Sequence, residues 1–364
     1  MIRRSNDYPN ISDLFSYGVG KDRINEGKNF AFDNCLAFLM EKLSNKQRFD
    51  YWIITGVTGN GYTPVYSLND SAAPCEYSLS GYLAGPDYVS GVLDAMGYTP
   101  IYVSAAQLNK DKPAYIQRLK DHIGNGIPVI VIHRHHAENY PADALTHYLY
   151  VSREDHEKSF LFSKIADKTL YDELNATEFI SQDWVFVSGK NRNIPLIDIC
   201  RNAIEKLPHW LTLPQKDGVS YGASAFRAWA DAVESGWYDC VTDIRHHYVV
   251  YICTLATIAW ANNTIDAPYA SIVNRLAQMD TQYADLNTHI AEQYRKLGDE
   301  NGSTGFCKNG IWRDLEDLGG GFNCTCETLR NRNSRVKIAA KLREAAICID
   351  TVVQALQAFH ISSR

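Results

Sequence analysis

The pattern of apolar and polar residues changes character near the middle of the chain. Up to about residue 190, short β-rich apolar runs alternate with runs whose apolar residues recur every three or four positions. Beyond "KNRNIP" at 190–195, the helical period of 3.6 residues dominates. The pattern predicts an α+β domain at 1–195, with helices packed on an antiparallel sheet, followed by an all-helical bundle domain at 196–364.

In the first half, strands are predicted at the short β-rich runs and helices where the longer period appears. The predicted strands are 51–57, 99–104, 127–133, 147–153, 159–165 and 184–189, and the predicted helices are 86–97, 113–126 and one within 29–43 whose first turn contains Cys35. No long helical run separates the last three strands, which predicts antiparallel pairing. The turn "EDHE" at 154–157 predicts a hairpin between the first two of them.

The second half is predicted to consist of long helices. They cover 221–235, 246–263, 269–297 and 334–359. The Gly- and Cys-rich stretch 300–326 predicts a long loop that interrupts them. The apolar run 246–263 is short, begins with two histidines and ends in "ANN", which favours a buried bundle helix over a membrane span.

Composition narrows the class of protein. The 364 residues are 45% hydrophobic and 21% charged, which is enough to build a large core, and the net charge of -6 shows no basic excess that favours nucleic acid or anionic membranes. Nine scattered cysteines, an odd number, predict reduced thiols rather than a disulfide framework. The first fifteen residues lack the apolar segment of a signal peptide. We therefore expect a soluble cytoplasmic protein whose partners are small molecules or proteins, and leave association into a homo-oligomer open.

One cysteine stands in a position suited to chemistry. In "NFAFDNCLAFLMEKL" (29–43), Cys35 is predicted to lie in the first turn of an otherwise apolar helix. The partial positive charge of a helix N-terminus favours the thiolate, which is the reactive form. The alternative is that Cys35 is a packing residue in a core helix, because free cysteines are among the most buried residues.

Partners for a nucleophilic thiol occur elsewhere in the first half. Such a thiol needs a histidine within hydrogen-bond reach and a donor for the oxyanion that develops on the attacked carbonyl. His147 begins the predicted strand "HYLYVSR" and is the candidate base. Asn29, six residues before Cys35, carries a side-chain amide that can serve as the donor.

These residues carry a resemblance to a known superfamily. The helix-opening Cys, the amide side chain six positions before it, "GIPVIVI" and "THYLYVS" resemble papain-like proteins, and among them the double-glycine bacteriocin-processing peptidases and the N-terminal domain of butirosin biosynthesis protein H-like proteins. The resemblance covers about 29–190 and extends weakly to "GASAFRAWADAV" in the second half. It implies that Cys35 is the nucleophile or acyl carrier, His147 its base and Asn29 part of the oxyanion hole, although the family usually has glutamine there.

The chain departs from that family at the residue that orients the histidine. In the predicted hairpin, Ser163 and Lys164 lie opposite His147, where the double-glycine peptidases have an aspartate. Asp167, just beyond the strand, is the nearest carboxylate that can reach back. Ser163 and Asp167 are therefore the candidate orienting residues, and without a carboxylate the chemistry is expected to be slow or absent.

A glycine-rich turn, "GVTGNGYTP" at 56–64, follows the predicted strand 51–57. It lacks the Lys-Ser/Thr of a P-loop and the last glycine of a dinucleotide fingerprint. Butirosin H-like proteins resemble the chain here as well, which implies that Gly59, Asn60, Gly61 and Tyr62 contact substrate. A tight structural turn is the equally weighted alternative.

Metal sites are weakly indicated. His133 and His135 would share one face of an extended strand and could join His147 around a metal, but solvated loop histidines are the favoured interpretation. Cys307, Cys324 and Cys326 lack the second close pair of a zinc finger. No metal and no cofactor are expected.

Thiol-dependent acyl chemistry is the function that these observations favour. Amide hydrolysis and acyl transfer share the attack by Cys35 and the acyl-enzyme, and differ in whether water or an amine accepts the acyl group. The expected substrate is a small molecule, a peptide or an acyl carrier. The alternative is a catalytically silent papain-like scaffold that binds a ligand or protein between its domains.

Overall fold

The computed structural model describes most of both halves of the chain. The described residues are 30–44, 51–67, 78–134, 145–159, 163–235, 272–298, 309–319, 328 and 330–362. Within these ranges, none of the helices combines the length and the apolar character needed to cross a bilayer.

The architecture is mixed α+β and mostly helical. The strands are β1 (Val65–Ser67), β2 (Ile101–Val103), β3 (Val129–Arg134), β4 (Leu145–Val151), β5 (Ser163–Ile165), β6 (Gln182–Phe186) and β7 (Val219–Tyr221). The helices are α1 (Ala31–Leu43), α2 (Tyr51–Thr58), α3 (Ser80–Leu83), α4 (Pro86–Ala95), α5 (Ala105–Lys110), α6 (Lys112–Gly124), α7 (Arg153–Ser159), α8 (Lys168–Ala176), α9 (Leu196–Leu211), α10 (Ala223–Ser235), α11 (Ile272–Met279), α12 (Ala284–Leu297), α13 (Gly310–Asp317) and α14 (Arg332–Ser362). The α+β class predicted from the sequence is confirmed.

Five strands form one mixed sheet in the order β2-β6-β3-β4-β5. Three of its four pairings are antiparallel, but β4 and β5 run parallel, so the prediction of an antiparallel sheet is wrong at this edge. The predicted hairpin does not form because α7 occupies its turn. Ser152 starts that helix, accepting a hydrogen bond from the Asp155 N–H while its hydroxyl donates to the Asp155 carboxylate.

Most of the other predicted elements appear near their expected positions, with three exceptions. The predicted strand 51–57 is the helix α2, because a short run that is apolar all round fits a buried helix as well as a strand. The predicted helix 269–297 is divided at Asp280, whose side chain accepts from the Gln282 N–H and starts a 3-10 turn before α12. Part of the predicted loop 300–326 is the helix α13. The predicted helix 246–263 lies outside the described residues.

The sheet is apolar on both faces. Alternate residues of β3 and β4, such as Ile130, Ile132 and Leu149, join the core that α1 and the C-terminal helices share. Val129, Val131 and Tyr150 point to the opposite face, where a second cluster includes side chains of α6 and α8. His147 belongs to the first face, because it pairs directly with Ile132.

The two halves of the chain are joined by packing and by a small second sheet. β1 from the first half pairs antiparallel with β7 from the second. The hydroxyl of Tyr294 in α12 donates to the Tyr62 carbonyl at 2.9 Å, and both side chains are buried. One continuous core contains residues from both sides of position 195. The division into domains at 1–195 and 196–364 stays a prediction about folding units.

Candidate functional site

Cys35 lies one turn inside its helix rather than in the first turn. α1 follows the extended residue Phe30 and begins at Ala31, so Cys35 is its fifth residue and the predicted position is wrong. The helix starts early because Phe30, Ala31 and Phe32 are buried and extend the apolar segment upstream. The field of a helix terminus falls off within the first turn, so it contributes little to ionisation of this thiol.

The helix that carries Cys35 packs on the strand that carries His147. The ring of Phe32 lies 4.9 Å from the imidazole of His147, centroid to centroid. Phe32 and Cys35 are three positions apart and therefore neighbours on one face of α1. Cys35 and His147 are each only 1% exposed. The structure thus brings the cysteine face of α1 against His147 in a buried environment.

The two residues predicted to orient His147 are not placed as expected. Ser163 pairs with Leu149 in the parallel register of β4 and β5, so it does not lie opposite His147. Asp167 is the N-cap of α8, where it accepts from the N–H groups of Thr169 and Leu170. It also pairs with Arg153 at 3.1 Å. Asn29 lies outside the described residues.

A buried polar network adjoins α1 on another side. Asn60 donates from Nδ2 to Oδ1 of Asp33 at 2.7 Å and to the Ser80 hydroxyl at 3.0 Å. Thr58 donates to Oδ2 of Asp33 at 3.2 Å, and the Ser80 N–H donates to Oδ1 of Asn60 at 3.1 Å. All four residues have no exposed surface. The network ties α1 to the end of α2 and the start of α3.

The glycine-rich turn ends α2 instead of following a strand. Gly59 has φ +79°, and a Cβ there would come within 2.8 Å of Trp210 and 2.9 Å of Leu79. A Cβ at Gly61 would meet the Thr55 hydroxyl at 2.8 Å. The turn directs Asn60 into the polar network, while the Tyr62 ring packs edge-on against Tyr294 at 5.7 Å. All four turn residues are buried, and their contact with substrate stays a prediction.

The role of Asp33 and its partners could not be predicted from the sequence pattern. A carboxylate in a helix that is apolar around most of its circumference must have buried donors, because an isolated buried charge is costly. Asp33 lies two positions before Cys35, so the two side chains point to different sides of α1. Thr58, Asn60 and Ser80 supply hydrogen bonds from segments that are distant in sequence, and nothing in the local pattern identifies them.

The other described cysteines provide a contrast to Cys35. Cys200 in α9 and Cys348 in α14 are buried free thiols. Burial raises the pKa of Cys200 to about 12 and raises that of Cys348 as well, so both remain protonated near neutral pH. They are packing residues of the helical half.

The metal sites that the sequence weakly indicates are not seen among the described residues. His133 pairs with Thr146, and therefore points to the opposite face of the sheet from His147. His135, Cys307, Cys324 and Cys326 lie outside the described residues. Where side chains are described, no group of three His, Cys, Asp or Glu is arranged to hold a metal ion.

Comparison with known proteins adds no relative from which a role can be transferred. No protein-family model matches the chain, and no curated protein matches it.

Proposed function

We propose that the protein catalyses thiol-dependent acyl chemistry, with Cys35 as the nucleophile and His147 as its general base. The contact between Phe32 and His147 carries this proposal, because Phe32 is the neighbour of Cys35 on the same face of α1. The resemblance of the segment around these residues to papain-like proteins supports the same pairing.

The reaction proceeds in two steps that use the same pair. The thiolate of Cys35 attacks a substrate carbonyl, and the resulting oxyanion collapses to a thioester while the imidazolium of His147 protonates the departing amine or thiol. Neutral His147 then removes a proton from water or from an acceptor amine as that nucleophile attacks the thioester. Cys35 leaves as the thiolate, and the acyl group ends on water or on the amine.

The position of Cys35 determines how it must be activated. Burial favours the neutral thiol, and the helix terminus is a full turn away. An imidazolium in contact with the thiolate is then the main group that can offset desolvation. The proposal therefore makes ionisation of Cys35 depend on His147.

Selective alkylation tests this pairing. Iodoacetamide at about pH 6 should label Cys35 at least roughly tenfold faster than Cys200, with the modified sites identified by peptide mapping. His147→Ala should remove the preference. His156→Ala is the matched control, because His156 lies in α7 beyond the far end of β4 and should leave the labelling unchanged.

A catalytically silent scaffold is the second candidate. Two observations favour the scaffold. Cys35 and His147 are both buried, and β4 and β5 run parallel instead of forming the hairpin that was predicted to place an orienting residue opposite His147. Equal labelling of Cys35 and Cys200, or labelling of Cys35 only after unfolding, would support this scaffold over the enzyme.

A further inference from the structure

The imidazole of His147 lies on an apolar part of the sheet. Its partner across the pair of β3 and β4 is Ile132, and Leu149 lies two positions further along β4 on the same face. Both neighbours are buried, as is His147 itself. The outer torsion of a histidine side chain has broad minima, so the groups that contact the ring determine its plane.

One ring of α1 packs directly on this imidazole. The centroid of the Phe32 ring lies 4.9 Å from that of His147, and the two planes are tilted by 54°. Tilted aromatic pairs are favourable at centroid separations of about 4.5–7 Å. Phe32 has no exposed surface, and rings in a close-packed interior have little room to move away. Rotation of the imidazole about its outer torsion would disturb this contact.

A second aromatic residue holds Phe32. Tyr88 of α4 lies 6.0 Å from it, centroid to centroid, at an angle of 44°. The Tyr88 hydroxyl donates to the Thr58 carbonyl at the end of α2, at 2.8 Å. Trp210 of α9 packs edge-on against Tyr88 at 5.7 Å. His147 therefore lies at one end of a series of packed rings that connects α1 with α4 and α9.

The residues predicted to orient the imidazole have other positions. Ser163 is out of register with His147, and Asp167 caps α8. A general base must still hold one ring nitrogen toward the nucleophile, because the proton passes between two atoms within hydrogen-bond reach. Phe32 is fixed relative to Cys35, since the two are neighbours on one face of the same helix. The residue that contacts the imidazole is thus also the one that relates it to the thiol.

We propose that Phe32 is a positioning residue, whose ring holds the plane of the His147 imidazole so that a ring nitrogen faces the Cys35 thiol. This inference rests on the proposed function, and it gives a core phenylalanine the role that was predicted for a polar side chain. Tyr88 supports the same role, because its anchored ring limits the movement of Phe32.

The pH dependence of Cys35 alkylation tests this role on the full chain. Iodoacetamide rates are measured at about pH 6, where reaction depends on the histidine, and at about pH 10, where a thiol ionises without one. The thiolate displaces iodide from the CH₂ group, so that the S–C bond forms as the C–I bond breaks. The ratio of the pH 6 rate to the pH 10 rate cancels changes in access to the thiol.

We expect Phe32→Leu to lower this ratio by roughly threefold to tenfold, as for the loss of one aromatic contact. Phe32→Met should do the same, and it replaces the leucine variant if that variant does not fold. Phe38→Leu is the matched control. It removes a buried ring that is also three positions from Cys35 on α1 but faces the Lys42 ammonium at 5.2 Å, and it should leave the ratio unchanged. An unchanged ratio in the Phe32 variants would overturn the proposal.

A structural comparison separates this proposal from the proposed function. In Cys35→Ala no thiol can orient the imidazole. High-resolution crystal structures should show one orientation of His147 in Cys35→Ala, and a rotated or divided ring when Phe32→Leu is added. If Cys35 of the parent protein is labelled no faster than Cys200, the proposed chemistry fails while this comparison still decides the role of Phe32. The same imidazole orientation in both variants would reject the positioning role even if Cys35 proves reactive.

Discussion

Asp33 is a carboxylate with no exposed surface, and both of its oxygens accept hydrogen bonds from other segments. Asp33→Asn replaces one acceptor oxygen with an NH₂ group that faces either Asn60 or Thr58. If the NH₂ group faces Asn60, two donors oppose each other. If it faces Thr58, the Thr58 hydroxyl can turn to the Ile54 carbonyl at 3.0 Å, but the hydrogen bond from Asn60 loses the negative charge of its acceptor. We expect the free energy of unfolding to fall by about 1–2 kcal/mol in urea denaturation.

The matched control for that substitution is Asp172→Asn. Asp172 lies exposed on α8, so the same chemical change should stay within about 0.5 kcal/mol of the parent protein. Equal effects of the two substitutions would contradict a structural role for the Asp33 network.

His122 makes stability depend on pH. Its ring packs on Phe186 at 5.0 Å, with the Arg118 carbonyl 3.1 Å from Nδ1 and the Ser188 hydroxyl 3.3 Å from Nε2. Burial lowers the pKa of His122 below its usual 6.5, although the hydrogen bond to the Arg118 carbonyl partly opposes this. The unfolded chain therefore binds this proton more tightly than the folded chain.

The contribution of His122 is fully present above about pH 6.5 and is lost as the pH falls through the folded-state pKa. We expect the free energy of unfolding to decline over this range in urea titrations at several pH values. His122→Gln should make the decline shallower, whereas His156→Gln should not. An unchanged slope in His122→Gln would assign the acid sensitivity to other groups.

At the scale of elements, the turn after α2 requires glycine at a defined position. Gly59→Ala adds a methyl group at φ +79° and within 3 Å of Trp210 and Leu79. Left-handed strain and overpacking each cost on the order of 1–2 kcal/mol, so we expect a loss of about 2–4 kcal/mol in chemical denaturation.

Gly91 provides the control within the same half of the chain. It lies inside α4 and an added Cβ would meet no atom within 4 Å. Gly91→Ala should therefore stabilise the protein by about 0.5–1 kcal/mol through helix propensity. Comparable destabilisation by both substitutions would refute the argument from turn geometry.

Some helices and strands could be predicted from the sequence and others could not. The sequence pattern located α4, α6 and α14 by their helical period, and β3 and β4 by their short runs of β-branched and aromatic residues. The pattern did not predict the helix α2, where Ile53, Ile54 and Val57 are buried on every side of the helix. It also did not predict α7, which begins within "SRED" between two strands. The candidate nucleophile and base were identifiable by residue type. Their surroundings were not, because Asn60 and Ser80 reach the Asp33 network of α1 from segments distant in sequence.

At the scale of the molecule, the two halves share one core. Pairing of β1 with β7 and the burial of Tyr62 against Tyr294 cross the predicted boundary at 195. Separating the halves would expose this apolar surface, so we expect β3 and α14 to unfold with one urea midpoint. Hydrogen exchange followed by mass spectrometry measures the midpoint of each element separately. Persistent protection of α14 after β3 has exchanged would show that the two predicted domains are independent folding units.

The central claim is that the folded molecule presents Cys35 to His147 as a reactive pair. The ultraviolet absorbance of the thiolate, recorded against pH for the parent protein minus Cys35→Ala, isolates the titration of this one thiol. We predict a thiolate step well below the usual pKa of about 8.5, which moves to or above that value in His147→Ala but not in His156→Ala. A Cys35 thiol that ionises no earlier than a free cysteine, with or without His147, would contradict the account and leave a binding scaffold in place of an enzyme.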